Sequence, residues 1–273
     1  MDIGRYVNAV QNAFERVRTR LHLSARNLIV AAVGVVVILG ALSVFGAATE
    51  DVTQHNGLAT HDAARLRLFT LHRTDFLVRA SKLASTLGDP LVLAVLALVA
   101  GALFWRRGLR LALALAPTFA LGASAVLAAV TKSIVGRARP PVSLHLISET
   151  DASFPSGHAT DSAAVGFAIA LVLAVFVLRR PLARLASLAG GGLFATAIGT
   201  SRLMLGVHWP SDVLAGLALG LSVSLAVTMM AAFFARLAPP PMEQATRTQR
   251  SLARVGRLLT RQRRAGEQDL LAA

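Results

Sequence analysis

The chain of 273 residues contains no cysteine. That absence excludes disulfides, thiolate metal sites and thiol nucleophiles, and it leaves the redox compartment unreadable. Charge is also scarce. Asp, Glu, Lys and Arg make up 15% of residues, hydrophobic residues 55%, and the mean hydropathy is +0.60, whereas an ordinary soluble domain has roughly 25% charged residues. A soluble enzyme and an intrinsically disordered chain are both excluded. No GxxxxGK[ST] segment occurs, so nucleotide hydrolysis of the P-loop kind has no support. No recurring alternation of about ten residues suggests a barrel strand, and no internal repeat of roughly 20–50 residues is evident.

What is present is a series of long uncharged runs. The intervals Arg26 to Glu50, Asp89 to Arg106, Arg110 to Lys132, Asp161 to Arg179, Arg184 to Arg202 and Asp212 to Arg236 enclose 23, 16, 21, 17, 17 and 23 residues. Roughly 17–25 residues cross a hydrocarbon core of about 30 Å as a helix. Helices satisfy their own backbone hydrogen bonds in lipid. The runs therefore predict an all-α, polytopic membrane protein, a six-transmembrane-helix bundle over residues 27–236. A basic lead (1–26) precedes it and a basic tail (237–273) follows. The first run is longer than a signal core and reads as a retained anchor. Within the loop 50–89, Leu66, Phe69, Phe76, Leu77, Ala80 and Leu83 recur near helical spacing among Arg65, Arg67, Arg73, Arg79 and Lys82. This pattern predicts an interfacial amphipathic helix near 62–87, either a packing strut or a lip for sideways lipid entry.

With six spans both termini share one face. That face collects Arg5, Arg16, Arg18, Arg20 and Arg26, the connections Arg106–Arg110 and Arg179–Arg184, and eight arginines from Arg236 to Arg264. The positive-inside rule makes it cytoplasmic. The net charge of +14 thus reports membrane orientation, and no nucleic acid partner is expected. The tail reads as a solvated basic appendix or one that hugs anionic lipid.

Parity of the spans then places Lys132, His158, Arg202 and Asp212 together at the opposite, extracytoplasmic face. Taken singly, each has an ordinary explanation. Lys132 suits a snorkelling anchor, Arg139-Pro140-Pro141 a helix stop, and Pro155-Ser156-Gly157-His158 a turn and helix start. His208 suits a stray histidine beside Trp209 and Pro210. Taken jointly, they form a kit for phosphoryl transfer. Guanidinium groups and a lysine bind phosphate oxygens, two histidines divide attack and protonation, and a carboxylate fixes one imidazole tautomer.

Lys132 followed after six residues by Arg139-Pro140, then Pro155-Ser156-Gly157-His158, then Ser201-Arg202 followed by His208 and Asp212, resembles the three-part signature of the type-2 phosphatidic acid phosphatase superfamily. The resemblance covers roughly residues 27–235 and implies a role for each position. His208 is the nucleophile that becomes phosphohistidine, Asp212 holds its imidazole, and His158 protonates the leaving oxygen and then assists water. Lys132, Arg139, Arg202, Ser156 and the Gly157 N–H bind the phosphoryl oxygens. No metal and no cofactor are implied. Arg137, His145, Glu149 and Asp151 fall outside the signature, and Asp161 reads as first-turn helix charge.

The expected activity is hydrolysis of the terminal phosphate of a lipid mono- or diphosphate in a bacterial plasma membrane. Undecaprenyl diphosphate, phosphatidic acid and phosphatidylglycerol phosphate all remain open as substrates, and so does the oligomeric state. The alternatives are a non-catalytic anion- or lipid-binding membrane protein and a vanadate-dependent haloperoxidase-like enzyme, the latter disfavoured by six spans.

Overall fold

The computed structural model describes residues 25–237. The basic lead and the basic tail lie outside the described residues, apart from Ala25, Arg26 and Leu237. The described residues are helical, with no strand among them. Helix α1 runs Ala25–Gln54, α2 Asp62–Leu71, α3 Asp75–Leu87, α4 Pro90–Arg106, α5 Ala116–Val135, α6 Gly157–Val172, α7 Pro181–Met204 and α8 Pro210–Leu237. A helical turn, Leu111–Ala114, leads into α5, and α6 ends in a π-turn, Leu173–Val177.

Five helices are long and apolar enough to cross a membrane: α1, α5, α6 with its π-turn, α7 and α8. The count reaches six when α3 and α4, bent by 58° at their junction, are taken as one span. The chain is thus an all-α, multi-pass membrane protein. The expected second span differs in detail. Helix α4 has 17 residues and rises only about 25 Å, short of the hydrocarbon thickness of about 30 Å. Asp89 caps its start by accepting from Leu91 N at 2.9 Å, with Pro90 in the first turn. The expected interfacial helix is in fact two helices. Apolar spacing runs through residues 62–87, but Thr74 takes an extended backbone and accepts from Leu77 N at 3.2 Å, which starts α3 afresh.

Helices α6 and α8 are the buried centre of the bundle, and glycine explains their closeness. A Cβ on Gly216 would lie 2.8 Å from Ser156 O, and one on Gly220 2.2 Å from Thr160 O. The pair, four residues apart on α8, lets the two backbones touch, as small residues do between membrane helices. This contact also sets the site, because Ser156 N at the head of α6 donates to Asp212 O at the head of α8 at 3.1 Å. Helix α1 packs on the side of this centre through Ala48 and Val52, with Phe45 stacked on Phe154 at 6.1 Å. Most of its other large apolar side chains, Leu28, Ile29, Val33 and Val36 among them, are exposed, as expected of a helix whose outer face meets lipid.

Candidate active site

Successive spans run in opposite directions, so the end of α5, the start of α6, the end of α7 and the start of α8 meet at one end of the bundle. There they enclose a cavity of about 420 Å³ lined by Lys132, Arg139, Gly157, His158, Asp161 and His208, with Pro90 and the segment Ser148–Asp151. Helix α5 ends at Gly136, whose φ of 59° reverses the chain. The reversal brings Arg137 and Arg139 back over the bundle end. A second left-handed glycine, Gly206 at φ 76°, closes the loop after α7. A Cβ there would stand 2.2 Å from Leu144 O, so only glycine lets the His208 loop seat against residues 144–146. Leu146 N donates to Leu205 O across that seam at 3.0 Å.

His208 is 2% exposed and sits in this loop, one turn before Asp212. Its two ring nitrogens face different partners. Arg139 Nη1 lies 3.1 Å from Nε2 and Asp212 Oδ2 lies 3.4 Å from Nδ1. A guanidinium can only donate, so Nε2 accepts and the ring proton sits on Nδ1, toward the carboxylate. This tautomer turns Nε2 to the cavity, where its lone pair accepts from Arg139. Burial pushes the His208 pKa down to about 4, against the opposing pull of Asp212, so the ring is neutral at pH 7. The 3.4 Å separation is long for a hydrogen bond. Asp212 is fully buried. Its Oδ2 also accepts from Trp209 N at 2.9 Å and from Ser153 Oγ.

Of the three cations expected to bind phosphate, Lys132 and Arg139 line this cavity and Arg202 reaches it through Glu149; each is met by a carboxylate. Arg202, 1% exposed, pairs with Glu149 and donates to Ser85 Oγ. Arg139 pairs with Asp151 at 2.5 Å and approaches Glu149 at 3.5 Å, while Lys132 reaches Asp151 at 2.9 Å and the Ala152 carbonyl. Burial alone would raise the Asp151 carboxyl, but bonds from Lys132 and Arg139 overcome it and hold the group down at about 2. Glu149 behaves alike: burial raises it, but Arg202 and Arg139 win and leave it below its ordinary value. Two carboxylates of the chain therefore occupy an anion cradle. The cradle keeps an unused donor, since the buried Arg202 Nε has no partner. Ser156 Oγ is likewise buried and unpaired.

Lys132, Arg139, Gly157, His158 and His208 thus line one cavity. Arg202 reaches it through Glu149, Asp212 backs His208, and Ser156 lies buried behind Gly157. Four residues outside the signature also belong to the site. Glu149 and Asp151 fill the cradle, Arg137 donates to Asp212 Oδ1 at 2.5 Å, and Asp161 lines the cavity while bonded to Ser124 Oγ at 2.7 Å. His145 does not line it; its Nε2 bonds to Pro140 O at 2.9 Å. Among the described residues no group of three or more His, Asp or Glu is placed to hold a metal ion.

Fold and site define a helical membrane protein with a cationic, histidine-bearing anion pocket at one end of its bundle. Residues 113–236, which hold every residue from Lys132 to Asp212, match the PAP2 superfamily. It is 38% identical over 125 residues to the lipid A 1-phosphatase of Rhizobium johnstonii, covering 41% of this chain and 44% of that protein. It is 36% identical over 100 residues to phosphatidylglycerophosphatase B of Bacillus subtilis, covering 37% of this chain and 49% of that protein. The matches span less than half the length of either relative. The crystal structure of a transmembrane PAP2-type phosphatidylglycerolphosphate phosphatase from Bacillus subtilis superposes with a TM-score of 0.62 at 28% identity, over 72% of this chain and 94% of that one.

Proposed function

We propose that this protein is a metal-independent phosphatase that removes the terminal phosphate of a lipid mono- or diphosphate by way of phosphohistidine. The observation that carries the reading is the placement of His208: its Nδ1 faces the Asp212 carboxylate and its Nε2 meets Arg139 at a cavity lined by Lys132, Arg139 and His158, with Arg202 joined to it through Glu149. In the first step Nε2 attacks phosphorus and the bond to the lipid oxygen breaks. His158 gives that oxygen its proton, while Asp212 takes up the charge developing on the His208 ring through Nδ1–H. The three cations and the Gly157 N–H stabilise the equatorial oxygens, where charge is spread in the transition state. In the second step water, losing its proton to His158, displaces Nε2 and releases phosphate.

Substrate entry requires Glu149 and Asp151 to leave the cradle, since a phosphate and two carboxylates cannot share three cations. The names of the relatives point to lipid A and phosphatidylglycerol phosphate, and the signature equally admits undecaprenyl diphosphate and phosphatidic acid. The arginine-rich connections lie at the far end of the bundle, which supports a bacterial plasma membrane setting with the site on the extracytoplasmic face.

The test is to trap the intermediate. With a radiolabelled lipid phosphate, the full-length protein should form an acid-labile, base-stable phosphoenzyme and release phosphate in the presence of excess EDTA. His208→Ala should lose both label and turnover yet still bind orthovanadate, because the cations remain. A His208→Ala protein that turns over at the wild-type rate would overturn the nucleophile assignment. A wild-type protein that binds lipid phosphate without turnover would identify an anion-binding scaffold instead.

A further inference from the structure

The carboxylate behind His208 is itself held by residues outside the signature. Arg137 Nη1 donates to Asp212 Oδ1 at 2.5 Å and to Ser211 Oγ at 2.8 Å, while Nη2 donates to Asp62 Oδ2 at 2.7 Å. Asp62 opens α2 and is only 2% exposed. Its Oδ1 accepts from Ser211 N at 3.0 Å and its Oδ2 from Ser211 Oγ. The Arg137 guanidinium also lies 5.6 Å from the centre of the Trp209 ring. One planar fork thus joins two buried carboxylates that lie 150 positions apart in the chain.

Burying a guanidinium between two carboxylates is a poor way to gain stability, because desolvation offsets most of the attraction. It is a good way to fix direction. With Arg137 on Oδ1, and Trp209 N and Ser153 Oγ on Oδ2, Asp212 has little rotational freedom, and Oδ2 stays toward His208 Nδ1. Asp62 also shares the charge of Arg137, so Asp212 is not fully neutralised and keeps its pull on the imidazole N–H.

We propose that Arg137 and Asp62 are positioning residues for the Asp212–His208 pair, making α2 part of the catalytic framework. The inference rests on the reading of His208 and Asp212 given above. Neither residue touches the cavity, so neither acts on phosphate directly.

The experiment compares full-length Asp62→Asn, Asp62→Glu, Arg137→Gln and Arg137→Lys with wild type and His208→Ala, measuring kcat, KM, the pH dependence of kcat/KM and the thermal midpoint. Asp62→Asn and Arg137→Gln should each lose on the order of 10–100-fold in kcat through misplacement of the imidazole, with KM within about twofold because the phosphate cradle is intact. The acid limb of kcat/KM should move in opposite directions. In Asp62→Asn the unshared charge of Arg137 weakens the hold of Asp212 on an imidazolium, so the limb shifts to lower pH. In Arg137→Gln the freed carboxylate strengthens that hold and the limb shifts to higher pH. The other charged or titratable groups around His208 are Arg139 from the loop after α5, Arg202 from α7 and His158 from α6; all are unchanged in these variants. The charge-preserving Asp62→Glu and Arg137→Lys should leave the limb in place, with Glu recovering most of kcat.

Wild-type kcat in either neutral variant would overturn the proposal. So would activity lost only in step with the thermal midpoint while the acid limb stays fixed, since that describes packing. A turning-over His208→Ala would sink the catalytic reading itself, whereas an inactive His208→Ala beside wild-type Asp62→Asn sinks only this inference.

Discussion

Burial sets the protonation state of His208. Its pKa, driven down to about 4 by burial and partly restored by Asp212, keeps the ring neutral far below the ordinary value of about 6.5. The acid limb of kcat/KM is therefore expected near pH 4, and a pH–rate profile on the purified protein checks it. A limb at or above pH 6.5 would mean that the ring is solvated. The stability sign follows the same shift. The folded state favours neutral His208, so its contribution is complete above about pH 6.5 and is lost as pH falls toward 4. Asp151, held at about 2, loses its contribution only at still lower pH. Of these residues, Lys132, Arg139, His158, Arg202, His208 and Asp212 were legible in the sequence because their chemistry and short spacings stand out locally. Glu149, Asp151, Arg137 and Asp62 were not. Arg137 and Asp62 are 75 positions apart, and nothing in either neighbourhood indicates that a guanidinium joins them.

At the scale of elements, the α6–α8 contact does for the backbone what Arg137 does for side chains. Gly220→Ala puts a methyl group 2.2 Å from Thr160 O and 2.7 Å from Ala163 Cβ, and backbone on the facing helix cannot yield as a flexible side chain would. The expected cost is about 1–3 kcal/mol from overpacking, with lost activity as Asp212 moves from Ser156. Gly40→Ala, whose new Cβ meets nothing within 4 Å, is the control. Thermal unfolding in detergent compares them, and equal midpoints would show that the helices separate freely. The long uncharged runs made most helices legible. The break between α2 and α3 was not, because Thr74 acts through its backbone and a single cap bond while the apolar spacing continues across it. The bend between α3 and α4 escaped for a related reason: Asp89 looked like a span boundary but caps a helix that continues an earlier one at an angle.

At the scale of the molecule, alternating helix direction separates two ends. One bears the cavity, the other the connections Arg106–Arg110 and Arg179–Arg184. Parity alone foretold which charged residues gather at one end, since it needs only the number of spans between them. Which carboxylates neutralise which cations depends on loop paths that parity does not determine. Absence of cysteine makes sidedness directly measurable. Single cysteines at Ser143, near the cavity, and at Arg107, at the far end, are both at exposed positions. In intact cells an impermeant maleimide is expected to label Ser143→Cys and spare Arg107→Cys; the reverse pattern would put the cavity in the cytoplasm.

Glu149 and Asp151 give the resting cradle the character of an ion exchanger. Three cations held in water by loose counter-ions would capture any passing anion, and the entropy of released salt would reward binding. Here the counter-ions are tethered to the same chain, so a phosphate binding as proposed would displace them without diluting them into solvent, and they would stand ready at high local concentration to return. A ligand must bring more charge per oxygen, or a lipid anchor holding it at the rim, to win that exchange. In the proposed reaction the product phosphate has lost its anchor, so the returning carboxylates would favour its departure.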